Sequence, residues 1–499
     1  MDSLKGLFET YTGFPAEEIR PLGSSGSNRR YYRISGGGRT LIGVKGTDRD
    51  ENAAFIALAR HFLSRGLNVP EVFAASGDGM SYIQEDLGGT ALYDAVSSGR
   101  ESGTYSQEER ALLCRTMSML PDIQFRGADG LDYGTCYPEP ELNARMVMFD
   151  LNYFKYCFLK PSGLEFNEVR LQDDFDRLCA DIVRDFGNTF MYRDFQARNV
   201  MLKDGEPYFI DFQGGRRGPV YYDVASFVWQ ARAKYPDDLR EEMISAYLQA
   251  LRRYEPELDE AGFRRNLRLF VLFRTLQVLG AYGFRGLVEK KAHFLASIPP
   301  ALDNLRKLIG TPFGEYPYLC QVLDRMLSLD KFNPPAPSPD GKLLVKVFSF
   351  AFKKGIPEDN SGNGGGYVFD CRDIINPANR EERDGVIMNP DYLYYRTING
   401  RDRDIIDYIE RKGNSAEFAA DYMPIERYLD CVYSLADAHV DTYVRRGFTS
   451  LQLCFGCTGG QHRSVYCAQH VAEHLVQRYG DRIHVRLIHR EQGIEEDLQ

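Results

Sequence analysis

Two short segments near the middle of the chain place carboxylates and an amide at spacings that suit phosphoryl transfer. The first reads Met191-Tyr192-Arg193-Asp194-Phe195-Gln196-Ala197-Arg198-Asn199-Val200. The second, Tyr208-Phe209-Ile210-Asp211-Phe212, follows after a turn. Transfer from ATP needs a carboxylate that orients or deprotonates the attacking hydroxyl, ligands that hold magnesium against the triphosphate, and a frame that keeps them in line. Asp194 and Asn199 have the Asp-x-x-x-x-Asn spacing of a kinase catalytic loop, so Asp194 is the candidate base and Asn199 a metal ligand. Asp211 ends an apolar strand and is the second candidate ligand. Arg198 joins Asp194 as a candidate catalytic residue. An Asp and an Asn five apart also occur in ordinary loops. The conjunction favours catalysis: an Arg-Asp loop, an apolar run Val200-Met201-Leu202, a turn at Asp204-Gly205, then a second apolar run closing on Asp211.

The nucleotide half is expected earlier in the chain. Ser24, Ser25, Gly26, Ser27 and Asn28 form a Gly/Ser loop whose N–H and hydroxyl groups could meet phosphate oxygens. Lys45, at the end of the run Leu41-Ile42-Gly43-Val44, is placed like the strand lysine that grips phosphates, with Glu51 as its partner. A solvated surface lysine fits that position equally well. Gln84 and Glu85, before Asp86-Leu87-Gly88-Gly89, are expected beside adenine.

The elements that must position these groups follow from periodicity. Ser3–Tyr11 reads as a short helix. Tyr31–Ile34 and Arg39–Val44 alternate like strands around Gly36-Gly37-Gly38. Asp50–Arg65 has helical spacing, with Asp48 or Asp50 as cap and Gly66 as stop. Val69–Ala74 and Met80–Glu85 read as strands, and from Ser106 the pattern is mainly helical. The expected fold is an α+β bilobal, protein-kinase-like domain, with a small lobe over 1–86 and a helical lobe over 87–328. The stretch 329–342 is proline-rich and reads as a linker. An α/β domain is expected over 343–499.

Composition narrows the function classes. The chain has 499 residues, 43% hydrophobic and 26% charged, with a net charge of −10, which argues against a general nucleic-acid binder. No long apolar window suggests a membrane span, and the N-terminus does not read as a signal peptide. Ten scattered cysteines in so long a chain suggest reduced thiols and a cytoplasmic location.

Over residues 10–310 the pattern resembles the aminoglycoside phosphotransferase and choline kinase superfamily. Within it the chain looks most like the bacterial cell-wall amino-sugar kinases. The residues that carry this are Ser27-Asn28-Arg29-Arg30-Tyr31-Tyr32-Arg33, the loop Arg193 to Asn199, and Ile210-Asp211-Phe212-Gln213-Gly214 followed by Gly218-Pro219 and Tyr222-Asp223-Val224-Ala225. The resemblance implies ATP and Mg2+ as cofactors. It also implies phosphorylation of the anomeric hydroxyl of N-acetylmuramate or N-acetylglucosamine. One departure is Tyr192, where the superfamily usually has His. Asp223 is expected to cap a helix over Val224–Arg232 and to brace the catalytic loop. The stretch Glu141–Lys160, with Arg145, Asp150, Asn152, Tyr153 and Tyr156, could line an acceptor pocket, although aromatics at helical spacing also build cores.

In the tail, the alternating run Leu451–Phe455 enters Gly456-Cys457-Thr458-Gly459-Gly460-Gln461-His462-Arg463-Ser464, and a helix over Val465–Tyr479 follows. A strand, glycine loop and helix suit an anion at the helix N-terminus. Thr458, Gly459, Gly460, His462, Arg463 and Ser464 are the candidate contacts. Two other readings stand beside this one. Cys457 and Arg463 have phosphatase-like Cys-x5-Arg spacing. Cys454, Cys457, His462 and His470 could bind zinc. The loop and the segments Ser349–Pro357 and Tyr367–Asp373 resemble the C-terminal domain of the RapZ family, over about 343–490. That resemblance implies a bound amino-sugar phosphate and, in some members, RNA and an RNase. The family's N-terminal nucleotide-binding domain and basic C-terminal tail are absent here. Residues 341–499 hold about 20 basic and 24 acidic side chains, which argues against RNA. An adapter whose kinase fold is incidental remains the alternative to an enzyme.

Overall fold

The computed structural model describes residues 2–23, 29–184, 187–332, 340–359 and 365–498. They form two compact units, Met1–Leu327 and Ser328–Gln499.

The first unit opens with helix α1 (Asp2–Thr12) and an antiparallel sheet. Its strands are β1 (Glu18–Leu22), β2 (Arg30–Gly36), β3 (Arg39–Lys45), β4 (Val72–Ala75) and β5 (Ser81–Glu85), in the order β1-β2-β3-β5-β4. Leu4 and Phe8 of α1 pack on Ile34, Leu41 and Ile83 across one face. Helix α2 (Arg49–Ser64) connects β3 to β4 and buries Phe55, Leu58 and Phe62. The Asp48 side chain caps α2, accepting hydrogen bonds from the backbone N–H groups of Asp50 and Glu51. β1 was not expected from sequence. Its residues alternate poorly and include Pro21, and backbone pairing to β2 alone defines it.

The larger lobe is helical, as expected. It contains α3 (Leu92–Ala95), α4 (Ser97–Ser102), α5 (Gln107–Phe125), α6 (Ala144–Phe154), α7 (Glu168–Ile182), α8 (Tyr221–Val228), α9 (Asp237–Leu251), α10 (Glu260–Tyr282), α11 (Ala292–Leu295), α12 (Ile298–Ile309) and α13 (Pro317–Leu327). Between α7 and α8 lie two short antiparallel pairs. One joins β6 (Phe190–Met191) to β9 (Arg216–Arg217), and the other joins β7 (Val200–Lys203) to β8 (Glu206–Phe209). Asp204 and Gly205 make the tight turn between β7 and β8, with φ of 54° and 80°. The stretch Glu260–Val288 is long and apolar enough to cross a membrane by composition, contrary to the reading above. It packs inside the helical lobe with 61% of its apolar window buried.

The second unit is α/β. Its strands are β10 (Leu343–Ala351), β11 (Val368–Asp370), β12 (Glu382–Arg383), β13 (Val386–Ile387), β14 (Ser450–Cys457), β15 (Ile483–His489) and β16 (Ile494–Leu498). Five of them form a sheet in the order β11-β14-β10-β15-β16, parallel except for β16 at the edge. Helices α14 (Tyr392–Tyr395), α15 (Arg403–Gly413), α16 (Ile425–Arg446) and α17 (Arg463–Tyr479) complete it. β14, α17 and β15 form a crossover that places the glycine loop at the carboxyl end of the sheet. Buried strand residues such as Val345, Val347, Leu453 and Leu487 pack with Ala468, Val471 and Leu475 of α17 in one core.

Candidate active site

The catalytic loop leaves β6 and is held by one buried carboxylate. Asp223 is fully buried and accepts the backbone N–H groups of Tyr192 and Arg193, each at 2.8 Å. Gln124 Nε2 adds a third donor at 3.3 Å. Burial pushes the Asp223 carboxyl up to about 7 against these three donors. Arg193 takes φ of 74°, which turns the chain so that Asp194 projects from the loop. The expected helix cap at Asp223 is not found. α8 begins at Tyr221 with Val220 in the capping position, so Asp223 lies within its first turn and serves the loop.

Asn199, 7% exposed, donates through Nδ2 to the Asp194 carbonyl at 2.8 Å. Its own carbonyl accepts Ile210 N–H at 3.0 Å. The Tyr192 hydroxyl donates to the Ile210 carbonyl. Tyr192 therefore stitches the Asp194 loop to the segment that leads from β8 to Asp211.

Asp211 also has a left-handed backbone, with φ of 68°. Gln213 Nε2 donates to Asp211 Oδ1 at 2.8 Å and reaches Glu51 Oε1 of α2 at 3.4 Å. Glu51 in turn pairs with Arg29 at 3.3 Å, and Arg29 also donates to the Glu51 carbonyl at 3.2 Å. Arg29 is 1% exposed and lies over the Phe55 ring. Burial and the nearby Asp194 charge raise the pKa of Asp211, while Gln213, Arg29 and Arg198 oppose that rise. Two carboxylates crowded together in a largely buried site fit a bound cation. Among the described residues no group of three His, Cys, Asp or Glu side chains suits a metal. Asn199 and Asp211 instead fit a magnesium that takes its other ligands from water and phosphate.

The structure corrects the phosphate lysine. Ile42 of β3 faces the cleft, and Lys45, three residues on, falls on the opposite face and is exposed. Arg29 takes the Glu51 partnership that was expected for Lys45. Sequence offered no signal to choose Arg29 among its neighbours Arg30 and Arg33. Ser24, Ser25, Gly26, Ser27 and Asn28 lie outside the described residues.

A cleft of about 460 Å³ runs from the sheet to these groups, within the range of small-molecule sites. Tyr31, Ile42, Met201 and Ile210 supply apolar walls, and Asn199 and Asp211 line its polar end. Gln84 and Glu85 both line it. Among the described residues the buried Gln84 side-chain oxygen has no hydrogen-bond partner, and the Glu85 carboxylate is engaged by Lys203. Arg33 fixes the following turn by a two-point contact with Asp86, at 2.7 and 2.9 Å, and a third bond to the Gly88 carbonyl at 2.8 Å.

The tail loop is built differently. Gly460 has φ of 69°, and a Cβ there would lie 2.8 Å from Ala351 N, so only glycine lets the loop approach β10. Its N–H donates to Cys457 Sγ at 3.1 Å, and Ser464 Oγ lies 3.2 Å from the same sulfur. These groups and Arg463 lower the Cys457 pKa against the opposing effect of burial. The two expected charged contacts, however, are engaged internally. Arg463 Nη1 donates to the carbonyls of Arg372 and Ile374, at 2.9 and 3.1 Å. His462 Nε2 lies 2.8 and 2.9 Å from the carbonyls of Tyr395 and Ile398. Ser464 is fully buried, while Thr458 and Gly459 are exposed. Cys454 and Cys457, three apart on β14, face opposite sides, so the zinc arrangement does not form.

A model of the phosphotransferase enzyme family matches residues 18–257, and one of the RapZ C-terminal domain matches residues 343–493. The chain is 26% identical over 328 residues to the N-acetylmuramate/N-acetylglucosamine kinase of Pseudomonas aeruginosa, covering 63% of this chain and 89% of that one. To the kinase of the same name from Neisseria meningitidis it is 26% identical over 288 residues, covering 56% and 82%. It is also 35% identical over 159 residues to a nucleotide-binding protein of Azoarcus sp., covering 30% of this chain and 40% of that protein. The chain therefore carries a domain of the phosphotransferase enzyme family followed by a RapZ C-terminal domain.

Proposed function

We propose that the first unit transfers the γ-phosphoryl group of ATP to the anomeric hydroxyl of an N-acetylated hexosamine, N-acetylmuramate or N-acetylglucosamine. The carrying observation is the convergence of Asp194, Asn199 and Asp211, on two segments stitched by Tyr192 and braced by Asp223, beside a nucleotide-sized cleft. Asp194 accepts the proton of the attacking hydroxyl as its oxygen bonds the phosphorus and the bond to ADP breaks. Asn199 and Asp211 hold Mg2+, and Arg198 faces the developing charge. The turn around Asp86 to Gly88 receives adenine through backbone groups. The kinase names of the relatives support the sugar as acceptor. The ten free thiols fit a cytoplasmic enzyme.

The tail binds a sugar phosphate at the loop after β14. Thr458, Gly459 and the first N–H groups of α17 supply its contacts, while Arg463 and His462 hold the loop in shape.

A kinase assay with N-acetylmuramate, N-acetylglucosamine, choline and an aminoglycoside, with product position read by phosphorus NMR, tests this reading. Robust turnover of choline or the aminoglycoside and of neither sugar would overturn it.

A further inference from the structure

We propose that Asp150 orients the acceptor: its carboxylate takes hydrogen bonds from adjacent hydroxyl or amide N–H groups of the molecule that Asp194 activates. This rests on the kinase reading and adds the pocket wall opposite the nucleotide cleft.

Asp150 lies on α6, which is laid directly against α10. A Cβ at Gly280 of α10 would stand 2.7 Å from the backbone nitrogen of Phe154, so the two helices touch backbone to backbone. This contact brings Asp150 among three guanidinium groups, those of Arg193, Arg216 and Arg274. Each lowers the carboxyl pKa against the effect of burial, and the Asp194 charge raises it. Arg193 forms an ion pair with it, but none of the three donates a hydrogen bond to it among the described residues. Arg216 donates to the Gly214 carbonyl at 3.2 and 3.1 Å. Arg274 is held by Ser226 at 3.2 Å and by Gln277. Arg193 Nη2 comes no closer than 3.8 Å to Asp150, too far for a hydrogen bond. The Asp150 side chain is 14% exposed and accepts no hydrogen bond among the described residues.

A mostly buried acceptor group without a donor requires an explanation, because leaving it unpaired costs free energy. The remaining exposure is the route by which a donor arrives. Gly214 lies on the same side: a Cβ there would sit 3.7 Å from Asp194 Oδ2 and 3.9 Å from Arg193 Cδ, so the turn before β9 runs alongside both loop side chains. Asp150 does not line the nucleotide cleft. Its ligand is therefore the acceptor, a polyhydroxylated molecule with neighbouring O–H or N–H donors.

The test is steady-state kinetics on the full chain, with whichever acceptor the panel above identifies. Asp150→Asn keeps the shape, and Asp150→Glu keeps the charge but displaces it. Each should raise the acceptor KM at least tenfold and leave the ATP KM within twofold. The Asp150→Asn penalty should shrink for the acceptor analogue that lacks the hydroxyl or amide donor bound by Asp150. An unchanged acceptor KM in both variants, a parallel rise in both KM values, or an equal penalty for every analogue would overturn the assignment while leaving the kinase reading intact. Wild-type turnover of no acceptor would overturn both.

Discussion

The Asp194 loop and the loop after β14 both follow a strand and both carry charged groups, but they dispose of those groups in opposite ways. Around Asp194 the backbone is pinned by Asp223, Tyr192 and Asn199, and the carboxylates of Asp150 and Asp211 keep open acceptor capacity. Around Gly459 the pinning is done by Arg463 and His462 themselves, and what stays open is Thr458 and the backbone. A motif names residue types, whereas the hydrogen-bond inventory shows which of them are available to a ligand. In the first loop the motif carboxylate stays available to a ligand. In the second, two motif residues are scaffold.

The sharpest way to break this contrast is at the first loop. Asp194→Asn should lower turnover by roughly 10²- to 10⁴-fold while ATP still binds. Asp211→Ala should abolish turnover that depends on divalent metal. Near wild-type rates would mean that the open carboxylates are not the machinery.

A second effect belongs to the internally engaged side chains of the tail. His489 is fully buried, with Ser349 at 2.9 Å from Nδ1 and Gln469 at 3.3 Å from Nε2. Burial, with Arg401 nearby, pushes its pKa from the usual 6.5 down to about 4. Between these values the unfolded chain takes up a proton that the folded chain refuses. The stabilisation is complete above pH 6.5 and lost as pH falls to 4, by about 3 kcal/mol. Thermal unfolding across that range should show the loss, and His489→Gln should flatten it.

Next in size is the contrast within the loop itself. Arg463→Ala leaves one buried and one partly buried carbonyl without their donor and should cost about 1–3 kcal/mol of stability. Thr458→Ala should leave stability unchanged and weaken sugar-phosphate binding severalfold in calorimetry. Cys457→Ser should change binding little, with no hydrolysis to lose. A reactive Cys457 that hydrolyses a phosphate ester would restore the phosphatase reading.

The smallest expected effect separates Arg29 from Lys45. Arg29→Ala should raise the ATP KM by about tenfold, on the order of 1.4 kcal/mol, and Lys45→Ala should leave it within twofold. The reverse result would return the phosphate contact to Lys45.

Much of this molecule could be read before its structure. Helical spacing located α2 and α17, and Asp48, one of the two caps offered for α2, is the one that forms. What escaped was set by distant partners. The outward face of Lys45 depends on which side of β3 turns to α1 and which to the cleft, and nothing local encodes that. The carbonyls that engage Arg463 belong to Arg372 and Ile374, some ninety residues earlier in the chain. Asp223 missed its expected cap role because Tyr221 and Tyr222 extend α8 ahead of it.

Gln213 also ties Asp211 to the small lobe, through its 3.4 Å contact with Glu51. Glu51 rides on α2, and Gln213 sits on the turn that follows Asp211. One amide thus answers to two carboxylates, tightly to its neighbour Asp211 and loosely to α2, so a change of charge at either one reaches the other through a single rotamer.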